Sequence, residues 1–236
     1  MPRRPSPRRR RISWLPWLVF AGSILLTYWA LRPSGPSGIR GIDVSHYQGK
    51  IDWKKVKRSG VEFAFIKASE GKSLKDDKFK QNWKAARKAR VLRGAYHFFR
   101  PSVDAEKQAT FFLKQFKMQE GDLPPVLDLE VTDGQSAATI RAGALKWMQI
   151  VERKTGVRPV LYTMPRFARD YLDDDFADYP LWLAHLRSRP PRSPKNWQKW
   201  SFWQYSHSGR VRGIRGKVDL NVFSGSKAAL LLLAKR

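Results

Sequence analysis

From Ile39 onward, short β-branched or aromatic runs alternate with longer polar segments. The runs predict strands over residues 39–47, 63–69, 93–99, 125–130, 159–163, 181–186, 202–206 and 218–223. Between them, segments 77–91, 103–118 and 136–155 are long enough to be crossover helices. Phe111, Phe112, Leu113 and Phe116 supply a core-facing stripe in the second of these. Strand then helix, repeated, implies parallel pairing, and eight strands suggest a closed α/β barrel. The later connections are shorter and richer in proline, notably over residues 189–194, so the second half should be poor in helices. The apolar run 228–234, flanked by Lys227, Lys235 and Arg236, is too short to cross a membrane and is expected to pack on the barrel as a last helix.

The N-terminal pattern is different. Residues 12–31 are uncharged and mostly apolar, with Trp14, Trp17, Tyr28 and Trp29 near the two ends. That length and those aromatics predict a transmembrane helix. The basic arm before it, residues 1–11, should stay cytoplasmic and send the rest outward, to the periplasm or beyond the cytoplasmic membrane. A cleaved signal peptide is the competing account, but Tyr28-Trp29-Ala30 puts bulk where a cleavage site wants small residues. Residues 32–38 read as a linker of breakers and small residues, and residues 39–236 as one catalytic domain.

At 236 residues the chain has room for a single barrel. It has no cysteine, which excludes disulfides, thiol nucleophiles and Cys-type metal sites. The net charge is +26. Part of it lies in Arg3, Arg4, Arg8, Arg9, Arg10, Arg11 and Arg32, but the remainder is still strongly basic and would accumulate polyanions: nucleic acid, anionic lipid or an anionic wall polymer.

The most informative stretch is Pro124-Pro125-Val126-Leu127-Asp128-Leu129-Glu130, two carboxylates two residues apart in an apolar run. Strand side chains alternate faces, so Asp128 and Glu130 point the same way. Crowded like charges in a poorly solvated place raise the proton affinity of at least one of them. The result is one proton donor beside one anion, the division of labour that glycosidic cleavage needs. An ion-paired strand end is the alternative for this motif taken alone. The spacing, about 6 to 7 Å between Cα atoms, straddles the separations of retaining and inverting enzymes.

In a parallel barrel, chemistry collects at the C-terminal strand ends. There this chain places Asp43, then Tyr96 and His97, Asp128 and Glu130, Tyr162, Trp182 and His185, Trp203 and Tyr205, and Asp219. Tyr47, Tyr96, Tyr162, Trp182, Trp203 and Tyr205 would line the mouth as flat faces for sugar rings. Here the chain resembles the glycoside hydrolase family 25 lysozymes, the Chalaropsis-type muramidases. The matching segments are Gly41-Ile42-Asp43-Val44-Ser45-His46-Tyr47-Gln48-Gly49, Ile51-Asp52-Trp53, Phe65-Ile66-Lys67-Ala68-Ser69-Glu70-Gly71, Gly94-Ala95-Tyr96-His97-Phe98, Pro125-Val126-Leu127-Asp128-Leu129-Glu130, Leu181-Trp182-Leu183-Ala184, Trp203-Gln204-Tyr205-Ser206 and Val218-Asp219-Leu220-Asn221.

The resemblance implies a TIM-like (β/α)5(β)3 barrel that hydrolyses the β-1,4 bond after N-acetylmuramic acid in peptidoglycan. By motif, Glu130 would be the general acid and Asp128 its partner at the anomeric side, with Asp43 and Asp219 as further acids shaping the site. Tyr96 and Tyr162 would contact the transition-state sugar, and Trp182 and Trp203 would form groove walls. No cofactor or metal is implied, and a monomer is expected. Three rivals remain: a barrel that binds glycan without turnover, a metal-dependent hydrolase using Asp43, His97, Asp128, Glu130 and Asp219, and a nucleic-acid-binding protein resting on charge alone. No H-E-x-x-H or comparable ligand spacing supports the second, and no recognition motif supports specific nucleic acid binding.

Overall fold

The computed structural model describes Met1 and residues 36–234. The elements run β1 (Ile39–Val44), α1 (Trp53–Arg58), β2 (Phe63–Glu70), β3 (Leu74–Lys75), α2 (Phe79–Lys88), β4 (Leu92–Phe98), α3 (Ala105–Leu113), β5 (Val126–Asp128), α4 (Ala137–Thr155), β6 (Val160–Thr163), α5 (Pro165–Tyr171), β7 (Leu181–Ala184), β8 (Phe202–Gly209), β9 (Val218–Phe223) and α6 (Lys227–Ala234). Helix starts follow local chemistry: Asp52, Asp104 and Ser136 each accept a backbone N–H of the first turn through the side chain. Gly156, in the left-handed region, ends α4.

Strand order β1-β9-β8-β7-β6-β5-β4-β2, closed by a β1–β2 pairing, makes an eight-strand barrel, with the two-residue β3 hung on the edge of β2. Pairing is parallel from β1 through β2, β4, β5, β6 and β7 to β8. β9 breaks the pattern, running antiparallel to both β8 and β1. The short segment between β8 and β9 is why: a parallel return needs a crossover of a dozen or more residues, whereas a short loop suffices for an antiparallel one. Because β9 is reversed, the residues near its start reach the same mouth as the ends of its neighbours, and Asp43 pairs in register with Asp219.

Alternation along each strand separates two cores. Phe63, Phe65, Val126, Val160, Trp182, Phe202 and Phe223 fill the barrel interior, where Leu230 and Ala234 of α6 join them. Ala64, Ile66, Ala68, Leu127, Leu161, Leu181 and Leu183 face outward and meet the helices, including Phe112, Trp147 and Val151. Gly41 and Gly94 leave the space that the inner rings occupy. A Cβ at either would lie 2.2 Å from the Phe63 ring or 2.6 Å from the Phe65 ring.

One expectation is corrected here. The fold was expected to include a membrane-spanning helix over residues 12–31, but that segment lies outside the described residues, and among the described residues no helix is long and apolar enough to cross a membrane. The longest, α4, carries Arg141, Lys146, Glu152, Arg153 and Lys154, and the apolar α6 has only eight residues. No described helix supports the single-pass anchor or the membrane localisation drawn from it.

Candidate active site

Eight of the ten carboxylates and aromatics singled out from the sequence line one cavity of about 340 Å³ at the barrel mouth: Asp43, Tyr47, Tyr96, Asp128, Glu130, Tyr162, Trp182 and Asp219. Parity explains the convergence. On β2 the inward residues Phe63 and Phe65 are followed two positions on by Lys67, which enters the cavity. On β5 and just beyond it, Val126, Asp128 and Glu130 share a face while Leu127 and Leu129 are buried among the helices. Phe98, Asp128, Tyr162 and Trp182 are register partners across β4, β5, β6 and β7, so they stand at one level.

Asp43 anchors a polar web. Its Oδ2 accepts from Gln204 Nε2 at 2.9 Å and from Asn221 Nδ2 at 2.7 Å. Gln204 in turn accepts from the Tyr162 hydroxyl at 3.0 Å, and Asn221 accepts from Trp182 Nε1 at 2.9 Å. Burial, then the charge of Asp219, pushes the Asp43 carboxyl well above its ordinary range. Asp219 is raised as well, chiefly by burial. Both carboxyls of the pair therefore hold a proton more tightly than a free carboxyl does.

Asp128 is 8% exposed, and its Oδ1 has no hydrogen-bond partner among the described residues. Burial, then the charge of Glu130, raises its proton affinity well above the usual carboxylate value. Glu130 is raised too, first by burial and against the opposing pull of Lys67. Lys67 is kept in place by Glu70 at 2.7 Å, and Glu70 by Arg100, whose other arm reaches Asp133 at 3.2 Å. The Tyr96 and Tyr162 hydroxyls are pushed up by burial and then by the surrounding carboxylates, so both stay neutral donors. The arrangement can hold one proton beside one carboxylate, in a pocket whose aromatic walls fit a sugar ring.

Trp203 and Tyr205 do not line this cavity. Gln204 takes the inward position of β8, so its neighbours face out: Trp203 is fully buried, its indole donates to the His185 carbonyl at 2.7 Å, and Tyr205 packs edge-on against it. His97 also turns away from the carboxylates. Its ring nitrogens meet Ser69 Oγ at 2.9 Å and Gln108 Oε1 at 3.1 Å, it stacks on Trp147, and burial brings its pKa down to about 4. Among the described residues no group of three or more His, Asp and Glu is placed to hold a metal ion. Sequence reasoning missed Lys67, Gln204 and Asn221, all within motifs it had quoted; strict two-residue alternation from Phe65, Phe202 and Asp219 finds each of them.

The profile of the glycosyl hydrolases family 25 matches residues 42–214. The chain is 41% identical to the Escherichia coli K12 protein YegX over 216 residues, covering 89% of this chain and 78% of that one. It is 39% identical to Lysozyme M1 of Streptomyces globisporus, covering 86% and 74%. The bacterial lysozyme of Streptomyces coelicolor superposes with a TM-score of 0.81 at 39% identity, over 84% of this chain and 97% of that one. With the profile spanning most of the barrel, the chain belongs to the glycosyl hydrolases family 25 and is a glycoside hydrolase.

Proposed function

We propose that the barrel, residues 39–236, hydrolyses peptidoglycan as a muramidase, cutting the β-1,4 bond between N-acetylmuramic acid and N-acetylglucosamine. Glu130 is the general acid that protonates the leaving oxygen, and Asp128 is the carboxylate at the anomeric side. Family membership, with relatives named lysozyme, supports the activity. One observation carries the roles: a buried Asp128 whose Oδ1 has no partner, next to a less buried Glu130.

In the free protein burial raises the proton affinity of both acids, and Asp128 is the more deeply buried of the two. An acetamido N–H of the substrate supplies what Oδ1 lacks. Donating to Asp128, it stabilises the anion and leaves the proton with Glu130, where the glycosidic oxygen needs it. An oriented acetamido group can itself attack the anomeric carbon, so Asp128 serves as orienting and charge-stabilising group in a substrate-assisted route. Tyr162 and Asp43, joined through Gln204, hold the far wall rigid. Digestion of purified sacculi followed by identification of the new reducing end tests the reading. Reducing muramic acid is expected; reducing glucosamine, or no release from several wall types, overturns it.

A further inference from the structure

The carboxylate cavity does not end at its rim. Tyr47 and Gln48, which line it, also line a second and larger hollow of about 990 Å³. This hollow lies between the turn after β1, the start of α1, the end of α2 and the loop before β9. Its walls are clamped together. The Asp52 N–H donates to the Gly213 carbonyl at 2.8 Å, and a Cβ at Gly213, where φ is +103°, would lie 2.4 Å from the Asp52 carbonyl oxygen, so the approach requires glycine.

The charge of this hollow is one-sided. Lys50, Lys54, Lys88 and Arg215 line it, all four exposed and none within ion-pair distance of a carboxylate among the described residues. Asp52, the one acid on its walls, is already taken as a helix cap and by Lys55 at 3.6 Å. The neighbouring cavity has the opposite character, with four carboxylates against Lys67, itself paired to Glu70. One continuous surface therefore joins an acidic hollow to a cationic one across Tyr47, a residue 83% exposed at the boundary.

We propose that the cationic hollow seats the carboxylate-bearing peptide that hangs from the muramic acid of the strand held in the cavity. The proposal rests on the muramidase reading. Continuity selects this occupant. A peptide attached to the sugar in the first cavity is delivered to the second at high effective concentration, and its free carboxylates match four unpaired cations. A free phosphodiester polymer or nucleic acid has the charge but not the tether. Exposed charge pairs are individually weak, so the four together are expected to contribute about tenfold in affinity, most of it lost at high salt.

The test uses the full chain carrying Glu130→Gln, so that binding is read without turnover. Affinity is measured for a soluble tetrasaccharide bearing its peptides and for the same glycan stripped by an amidase. The peptide-bearing ligand is expected to bind about tenfold tighter. That advantage should vanish at 0.5 M salt (roughly twice the charge screening of physiological buffer) and in the background of Lys50→Gln, Lys54→Gln, Lys88→Gln and Arg215→Gln, with the stripped ligand unaffected. Lys54→Gln with Lys88→Gln alone, from the two helices, should show a partial loss if the fourfold variant folds poorly. Equal affinity for both glycans, equal losses on both, or stronger displacement by polyglycerol phosphate or duplex DNA than by the free peptide overturns the proposal. Wild-type protein that releases no muramic acid ends from sacculi counts against the muramidase reading instead, because the binding comparison does not depend on turnover.

Discussion

Toward the base of the barrel, Phe63, Phe202 and Phe223 pack ring against ring at centroid separations of 5.3 and 5.0 Å, with Leu230 of α6 beside them. Toward the mouth the same strands present Asp43, Lys67, Asp128, Tyr162, Gln204 and Asp219. Both regions are built by one alternation, and both are largely withdrawn from water. Burying each phenylalanine favours folding by about 1.5 to 3 kcal/mol. Burying like-charged carboxylates opposes it, as the raised proton affinities of Asp43, Asp128 and Glu130 record. The base holds the barrel closed so that the mouth can keep acids where water would otherwise relax them, and substitutions at the two ends should therefore move stability and activity in separable ways.

The sharpest break is expected at the mouth. Glu130→Gln is nearly isosteric and removes the transferable proton, so turnover on peptidoglycan should fall about a hundredfold to ten-thousandfold. Its thermal midpoint should stay at or slightly above that of the wild type. Wild-type rates would show that another acid does the protonation. The complementary change at the base is Phe63→Ala, which empties the space against Gly41 and Phe202 and should cost about 3 to 5 kcal/mol in urea denaturation. Below the unfolding transition its rate per folded molecule should remain close to wild type. A large rate loss without a stability loss would mean that base and mouth are not independent.

How much of this was legible beforehand follows the same alternation. The eight strands and the helices over 79–88, 105–113 and 137–155 carry strong periodic signals and formed close to where the pattern put them, and the proline-rich connection over 189–194 contains no helix. The reversal of β9 is a matter of loop length rather than of strand propensity, and a reading based on repeated strand and helix passes over it. Trp203 and Tyr205 were drawn to the mouth because aromatic residues suggest sugar contacts, yet the parity of β8 gives the inward place to Gln204. Alternation puts Gln204 and Asn221 on the inward faces, but a neutral amide carries no chemical signal of its own, and their role appears only once Asp43 is seen to need donors. The apolar run 12–31 has the length of a membrane span but lies outside the described residues, and among those no helix is long and apolar enough to cross a membrane.

A subtler separation concerns Asp128→Asn, which should lower activity while raising stability. The folded protein holds the Asp128 proton more tightly than the unfolded chain does. As pH rises past the unfolded value of about 3.9, the unfolded state ionises first and the carboxyl increasingly disfavours folding, until the folded pKa is passed. Asparagine removes that penalty. A more stable variant is expected at pH 7, its advantage shrinking to nothing well below pH about 3.9, where both states are protonated. Denaturation curves across that range give the answer, and a variant less stable than wild type at pH 7 would mean that the Asp128 carboxylate is satisfied in a way its surroundings do not suggest.

The smallest effects come from a pair of hydroxyl deletions on opposite faces of the barrel wall. Tyr162 faces in and donates to Gln204, which in turn donates to Asp43. Removing that hydroxyl with Tyr162→Phe leaves a buried amide oxygen short of a donor and loosens the web behind the reacting sugar. A fall of about tenfold in kcat/KM is expected, near the 1.4 kcal/mol of one lost hydrogen bond. Tyr205 sits two strands away on the outward face, against Trp203 and outside the cavity. Tyr205→Phe should therefore leave kcat/KM within about twofold of wild type, less than the effect of one neutral hydrogen bond. Equal losses in the two variants would return Tyr205 to the groove and overturn the inward and outward assignment of β8. A silent Tyr162→Phe would instead show that the web holding Asp43 does not need its outermost link.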